Sequence, residues 1–198
     1  MQLIVATRNA HKTREIQRIL GPAFTVSDLS EHLKVPDICE NGKSFEENAI
    51  LKAVGASRHL SGLVVADDSG LEVDALRGAP GIFSARYAGE NATDKEKIDK
   101  LLSELARTAT EETKRSARFR CLIALARQGE LLGTFEGIAE GAIVEQARGL
   151  RGFGYDPIFV PRGFEETFAE LPSEVKNTIS HRAKAIHALI AKLEALDD

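Results

Sequence analysis

Two adjacent carboxylates, Asp67 and Asp68, directly follow the apolar run Leu63–Ala66 and precede Ser69 and Gly70. An apolar run that ends in a turn signal predicts a buried strand, and ligands of open α/β sheets bind just beyond the carboxyl ends of strands. Neighbouring acids are costly near apolar surface unless a cation binds there, and Mg²⁺, which usually accompanies phosphates, is the simplest such cation. A solvated turn in which Asp68 or Ser69 caps a helix explains the segment equally well.

The segment Thr7–Lys12 follows a strand-like run and precedes a predicted helix. Backbone amides at a helix N-terminus bind phosphate, and Thr7, Asn9 and Lys12 add donors and positive charge. The glycines of a Walker A motif are missing. Taken alone, the segment is therefore better explained as an ordinary polar turn.

Further carboxylates lie before and within a helix predicted over Ser44–Leu60. Glu40 lies in a loop, from which it could reach a metal near Asp68. Ser44 and Glu47 have the spacing of a capping box, which explains both residues. A catalytic role for the Glu47 carboxylate is the alternative.

Two segments near the C-terminus carry groups that can recognise a base. In Gly152–Pro157, the Phe153 ring can stack on a base and Asp156 can accept hydrogen bonds from base N–H groups. Lys176 and the run Ser180–Arg182 supply a cation and donors for a purine carbonyl oxygen or a phosphate. Taken singly, these features are also explained by a tight turn, a surface charge and a helix cap.

Hydrophobic periodicity predicts the elements that position these residues. The predicted strands are Leu3–Ala6, Leu63–Ala66, Arg118–Arg127, Leu131–Val144 and Ile158–Val160, with Glu72–Leu76 as a short strand or turn. The predicted helices are Lys12–Leu20, Ser44–Leu60, Thr93–Ala106 and Ser180–Leu196. Gln128 and Gly129 mark a hairpin, so the sheet is expected to be mixed.

Composition narrows the class of protein. The chain has 198 residues, 43% of them hydrophobic, which suits one domain over residues 1–198, with two lobes. A net charge of −4 argues against binding to nucleic acid or to an anionic membrane. Cys39 and Cys121, the two cysteines, form no disulfide framework, and no signal peptide or membrane span is expected, which fits the cytoplasm.

The order and spacing of the motifs together resemble the inosine triphosphate pyrophosphatase family, also called dITP/XTP diphosphatases, over essentially the whole chain. The matching motifs are Thr7-x-Asn9-x-x-Lys12, Ser44-Phe45-x-Glu47-Asn48-Ala49, Ala66–Leu71, Gly78-Ala79-Pro80-Gly81-Ile82-x-Ser84-Ala85-Arg86-Tyr87, Phe153–Pro157 and Ser180-His181-Arg182. The Ser84–Tyr87 loop is similar to that of bacterial members. Arg8 departs from the pattern, since many members have glycine there.

The resemblance implies an α/β fold with an elongated mixed β-sheet and flanking helices that form two lobes around a cleft, in a homodimer. It implies a cytoplasmic, Mg²⁺-dependent hydrolase that cleaves a purine nucleoside triphosphate (ITP, dITP or XTP) to the monophosphate and pyrophosphate. The alternatives are a pyrophosphatase for other modified nucleotides on a related fold and a non-catalytic nucleotide-binding regulator.

The resemblance also implies site residues. Asp68 and Glu40 would bind Mg²⁺, and Asp68 would accept a proton from water with help from Glu47 or Asp67. His181 and Arg182 would donate to the 6-keto oxygen of the purine. The implied substrate-binding residues are Thr7, Arg8, Asn9, Ala10, His11, Lys12, Ser69, Phe153, Gly154, Tyr155, Asp156, Lys176, His181 and Arg182.

Overall fold

The structure is a computed structural model that describes residues 1–108 and 115–197. The helices of the described residues are α1 (Ala10–Leu20), α2 (Phe45–Ser57), α3 (Asp94–Thr108), α4 (Ser173–Ile179) and α5 (His181–Asp197). The strands are β1 (Gln2–Val5), β2 (Thr25–Asp28), β3 (Leu63–Val73), β4 (Ser116–Arg127), β5 (Glu130–Ile143) and β6 (Phe159–Pro161). Within these residues, no helix is long and apolar enough to cross a membrane.

The six strands form one sheet in the order β2-β1-β3-β4-β5-β6. β1 is parallel to both β2 and β3, whereas β5 is antiparallel to β6. The predicted mixed α/β sheet with flanking helices is therefore confirmed. The predicted hairpin is also present, because Gln128 and Gly129 between β4 and β5 have φ angles of 53° and 84°. Two positive φ values in a two-residue loop are typical of a turn that matches strand twist.

The structure differs from the sequence predictions at three elements. β3 does not end at Ala66 but continues through both aspartates to Val73, so the acids lie within a strand. β2 was not predicted, because two of its four residues, Ser27 and Asp28, are polar but buried. α4 was not predicted either, because seven residues are too few to show a helical period.

The chain divides into two compact units. Unit 1 comprises Met1–Asp68, Cys121–Gly137 and His181–Asp198, and unit 2 comprises Ser69–Arg120 and Ile138–Ser180. The core of unit 1 is mostly aliphatic and includes Leu3, Val5, Ile16, Val65, Ile123, Ile186 and Leu189. The core of unit 2 includes Leu71, Leu101 and Leu105 and an aromatic group of Phe119, Phe159 and Phe168.

Gly137 of β5 allows the first turn of α5 to approach the sheet within unit 1. A Cβ atom at this position would lie 2.0 Å from the carbonyl oxygen of His181 and 2.5 Å from the amide nitrogen of Ala185. Any other residue would clash with the helix backbone. The glycine therefore helps to fix where α5 begins, and with it the position of His181 and Arg182.

Candidate active site

Asp67 of β3 is the centre of a buried charge cluster in unit 1. Lys12 Nζ lies 2.5 Å from Asp67 Oδ1, and Arg182 Nε donates to Oδ2 at 2.7 Å. Cys121 Sγ donates to the same Oδ2 at 3.2 Å. Burial alone would raise the pKa of Asp67, but the charges of Arg182 and Lys12 outweigh it and hold this pKa well below its usual range. The ionised carboxylate therefore anchors two cations from two different helices.

Arg182 is fixed by carboxylates on two sides. Its Nη1 atom donates to Glu15 of α1, in addition to the bond from Nε to Asp67. Burial would lower the pKa of Arg182, but Asp67 and Glu15 raise it well above its ordinary value. A guanidinium is a planar fork of donors, so these two contacts fix the plane of the group. Its predicted role in base recognition, like that of the buried His181, stays a prediction.

Lys52 of α2 links the two predicted metal ligands. Its Nζ atom lies 3.1 Å from Glu40 Oε2 and 3.3 Å from Asp68 Oδ1, and it donates to the Asp67 carbonyl at 2.9 Å. Burial would lower the pKa of Lys52, but the nearby carboxylates of Asp68 and Glu40 raise it. Sequence reasoning missed Lys52. The i, i+4 spacing of Lys52 and Asn48 places both residues on one face of α2, but it does not show which residues Lys52 contacts.

Asp68 has a less neutralised environment than Asp67. Burial raises the pKa of Asp68, and the charges of Lys52 and Lys12 offset only part of that effect. Its Oδ2 atom is buried and accepts no hydrogen bond from any residue that the structure describes. The side chain of Asn48 forms a hydrogen bond with Asp68. The Oδ1 atom of Asn48 accepts a hydrogen bond from the Gly42 amide at 2.9 Å. Asp68 therefore combines a raised pKa with a carboxylate oxygen that has no hydrogen-bond partner among the described residues.

Asp67 and Glu47 were predicted to help Asp68 in catalysis; both make structural contacts, and their catalytic role stays a prediction. The Asp67 side chain is 1% exposed, and its oxygens accept from Lys12, Cys121 and Arg182. Glu47 Oε2 accepts from the Lys43 amide at 2.6 Å, and the Glu47 amide donates to Ser44 Oγ at 3.1 Å. These bonds cap the start of α2. Asp68 is thus the carboxylate of this cluster whose surroundings suit proton transfer.

Asp68 and Glu40 offer the carboxylate oxygens that Mg²⁺ prefers. In the described ranges, no group of three or more His, Cys, Asp or Glu side chains is arranged to hold a metal ion. Mg²⁺ in phosphate-handling sites is usually held by one or two carboxylates together with substrate phosphates and water. Asp68, whose Oδ2 has no hydrogen-bond partner among the described residues, and Glu40 both contact Lys52, and these two carboxylates fit that mode of binding.

The predicted phosphate loop forms the N-terminus of α1. Asn9 Oδ1 accepts from the amides of His11 at 2.9 Å and Lys12 at 3.3 Å, and the Asn9 amide donates to Thr7 Oγ1 at 3.1 Å. Asn9 is therefore the helix cap. Residues 8–11 are exposed, which leaves the start of a helix accessible to an anion.

Arg8 braces the loop that follows β2. Its guanidinium donates to the carbonyls of Leu29 at 3.0 Å and Val35 at 3.2 Å, and it also pairs with Asp37. Many members of the resembled family have glycine at this position. In this chain, Arg8 has a structural role. Its predicted contact with the substrate stays a prediction.

In unit 2, Lys176 joins the predicted base-binding residues. Its Nζ atom lies 5.3 Å from the centroid of the Phe153 ring and donates to Asp156 Oδ2 at 2.6 Å. The same oxygen accepts from the Phe153 amide at 2.9 Å. Asp156 thus holds the lysine and the loop, and its predicted contact with a base stays a prediction. Both Asp156 and Lys176 are buried.

The next two residues of this loop are also held in place within unit 2. The Gly154 amide donates to Asp94 Oδ2 at 2.6 Å, and the Tyr155 hydroxyl donates to the Ser84 carbonyl at 3.0 Å. Asp94 was not among the predicted residues, because nothing in its sequence neighbourhood separates it from an ordinary first-turn acid. The loop that carries Phe153 is therefore fixed by several different side chains.

The chain thus combines a mixed α/β sheet with two acids on one strand, Asp67 and Asp68, that contact lysines of α1 and α2. Residues 3–192 match the model of the Ham1 family. The dITP/XTP pyrophosphatase of Bacillus subtilis is 48% identical over 195 residues, 98% of each chain. The protein of the same name from Geobacter sulfurreducens is 50% identical over 190 residues, 95% of this chain and 94% of that one. The chain belongs to the Ham1 family.

Solved structures agree with this membership. A HAM1 protein from Coxiella burnetii matches with a TM-score of 0.87 and 42% identity, over 98% of this chain and 99% of that chain. The Ham1 protein of Staphylococcus aureus matches with a TM-score of 0.84 and 43% identity over the same shares. The family resemblance predicted from the motifs is thus confirmed.

Proposed function

We propose that this chain hydrolyses non-standard purine nucleoside triphosphates (ITP, dITP and XTP) to the monophosphate and pyrophosphate, and so removes them from the nucleotide pool. The observation that carries the proposal is Asp68, a buried carboxylate beside Lys52 and Lys12 with one oxygen that has no hydrogen-bond partner among the described residues. The names of the relatives, dITP/XTP pyrophosphatases, support the substrate class.

Asp68 and Glu40 would hold Mg²⁺, which when bound lowers the pKa of a water molecule and offsets phosphate charge. Asp68 orients the attacking water and accepts its proton, a task that its raised pKa favours. Lys12 and Lys52 place positive charge beside this carboxylate. In phosphoryl transfer, a protein accelerates the reaction mainly by positioning the reacting groups and by neutralising the charge of the phosphates.

For the base, we propose that the Phe153 ring stacks on the purine while His181 and Arg182 donate to its 6-keto oxygen. Adenine presents an amino group at that position, so both donors would lose their acceptor. The fixed plane of Arg182, between Asp67 and Glu15, supports such a directional contact.

Pyrophosphate release from ITP, dITP, XTP, GTP and ATP, measured with and without Mg²⁺, tests the proposal. We expect Mg²⁺-dependent release from ITP, dITP and XTP and little from ATP. Release only from other modified nucleotides would favour the first alternative. Binding of ITP without any release would favour a nucleotide-binding regulator.

The resemblance also supports a homodimer, a cytoplasmic location and a single domain over residues 1–198. Light scattering after size exclusion would test the dimer, since a monomer mass would contradict it. Fractionation of cells that express the chain would test the location.

A further inference from the structure

Asp94, the first residue of α3, contacts the loop that carries Phe153. Its Oδ2 atom accepts from the Gly154 amide at 2.6 Å, and its Oδ1 atom pairs with Lys97 Nζ at 2.6 Å. Gly154 directly follows Phe153 in the chain. All of these residues belong to unit 2. A carboxylate that accepts from a backbone amide makes a charge-assisted hydrogen bond, which is among the stronger kinds.

The capping of α3 is carried by other residues. The Thr93 amide donates to Glu96 Oε2 at 2.7 Å, and the Glu96 amide donates to Thr93 Oγ1 at 3.3 Å. These reciprocal bonds form a capping box. The carboxylate of Asp94 is directed instead to the loop of Gly154 and to Lys97.

The loop needs such anchors because of its backbone. Gly152 and Gly154, on either side of Phe153, have φ angles of +74° and +62°. Glycine adopts these values readily, but it also adopts many others, so a loop with two glycines is not fixed by its own backbone. Asp156 holds the Phe153 amide from within the Lys176 cluster, whereas Asp94 holds the next amide from α3.

We propose that Asp94 is a positioning residue that keeps Phe153 in its base-stacking arrangement through the Gly154 amide. The inference rests on the proposed function for the role of Phe153. Without this hydrogen bond, the Phe153 ring has the base-stacking arrangement in only a fraction of the molecules. The apparent affinity for the substrate is then lowered in proportion to that fraction. We expect turnover of bound substrate to be unchanged, because the bonds of Asp94 to Gly154 and Lys97 lie within unit 2, whereas Lys12, Lys52 and Asp68 belong to unit 1.

Three variants test the proposal: Asp94→Ala, Asp94→Asn and Asp99→Ala. In Asp94→Ala, we expect solvent exchange of the Gly154 amide, measured by NMR, to accelerate about tenfold. The KM for ITP should rise about threefold to tenfold, with kcat within about twofold of the wild-type value. Asp94→Asn keeps an acceptor oxygen but loses the charge, so its Gly154 exchange rate and its KM for ITP should lie between those of wild type and those of Asp94→Ala. Asp99→Ala removes another ion-paired acid from α3 and should change neither.

The outcomes separate the explanations. Unchanged Gly154 exchange or unchanged KM in Asp94→Ala would overturn the proposal. If Asp94→Asn raises the KM for ITP and the Gly154 exchange rate as much as Asp94→Ala does, the effect comes from the negative charge at the start of α3. That result would also overturn the proposal. If wild-type protein releases no pyrophosphate from ITP, the proposed function fails, whereas the exchange rate of Gly154 still shows whether Asp94 anchors the loop.

Discussion

Arg182 Nε donates to Asp67 Oδ2 at 2.7 Å, and both side chains are almost completely buried within unit 1. The same carboxylate holds Lys12 through its other oxygen. One acid therefore fixes a lysine at the start of α1 and an arginine at the start of α5. Loss of one partner from a buried ion pair leaves an uncompensated charge, which is far more costly than the loss of a surface pair.

Asp67→Asn should therefore lower the free energy of unfolding by about 3–5 kcal/mol, because Lys12 and Arg182 lose their shared counter-charge. Urea denaturation followed by circular dichroism measures this change. The matched control is Asp37→Asn. Asp37 pairs with Arg8 but its side chain is 94% exposed, so its replacement should change stability by about 0–1 kcal/mol. Equal stability of the two variants would contradict a buried anchoring role.

Asp68→Asn keeps the shape of the side chain but removes its charge and basicity. We expect kcat for ITP at saturating Mg²⁺ to fall on the order of a hundredfold or more. Glu47→Gln should change kcat by less than about threefold. Glu47 caps the start of α2, and loss of a helix cap lowers stability without changing the rate of the chemical step. Near-normal turnover in Asp68→Asn would contradict the catalytic role of Asp68, whereas a comparable loss in Glu47→Gln would show that Glu47 has a catalytic role as well.

Lys12→Ala should lower kcat/KM by a similar factor for ITP, dITP and XTP, since a contact with phosphate does not depend on the base. A hydrogen bond to a charged group is worth about 1.5–3 kcal/mol, so the loss should be about tenfold to a hundredfold. Lys95→Ala, at an exposed lysine of α3, is the control for a general loss of positive charge. A change in base preference without a common loss would place Lys12 at the base instead.

Arg182→Ala should reduce hydrolysis of ITP far more than hydrolysis of ATP. A donor without its acceptor costs about 1–3 kcal/mol, so the ratio of kcat/KM between the two substrates should narrow about tenfold or more. Phe153→Ala should instead lower kcat/KM for all purines alike, because stacking does not read the edge of the base. Loss of ITP and ATP activity by one common factor in Arg182→Ala would argue for a purely structural arginine.

Stability should also depend on the protonation of Asp28 at the end of β2. Burial would raise the pKa of Asp28, but hydrogen bonds from Ser30 and Thr13 outweigh it and place this pKa below its ordinary value of 3.8. A carboxyl group of this kind contributes stability above its unfolded pKa and loses it as the pH falls through its folded pKa.

Asp28→Asn should therefore reduce the free energy of unfolding by about 1–2 kcal/mol at pH 7. The difference from wild type should shrink below about pH 4. Urea denaturation at pH 7 and at pH 3 measures both values. A difference that stays constant with pH would show that Asp28 contributes through shape and not through charge.

The sequence predicted those parts of the molecule that carry a periodic or local signal. The hairpin at Gln128 and Gly129 was predicted because two adjacent residues determine such a turn. The contacts of Lys52 and Asp94 could not be predicted, because each depends on a partner brought near by folding. The lowered pKa of Asp67 could not be predicted for the same reason, because Arg182 and Lys12 are its neighbours in space and not in sequence.

The division of the chain into two units has a consequence for protein engineering. Unit 1 contains both chain termini and is assembled from three separate segments, while unit 2 is supplied by Ser69–Arg120 and Ile138–Ser180. Truncation from the ends cannot isolate either unit, because Cys121–Gly137 of unit 1 lies between the two segments of unit 2. In chain order, unit 2 consists of two segments that are inserted between the three segments of unit 1. Grafting both segments together from a relative would exchange the surroundings of Phe153 while leaving Lys12, Lys52 and Asp68 in their own sequence.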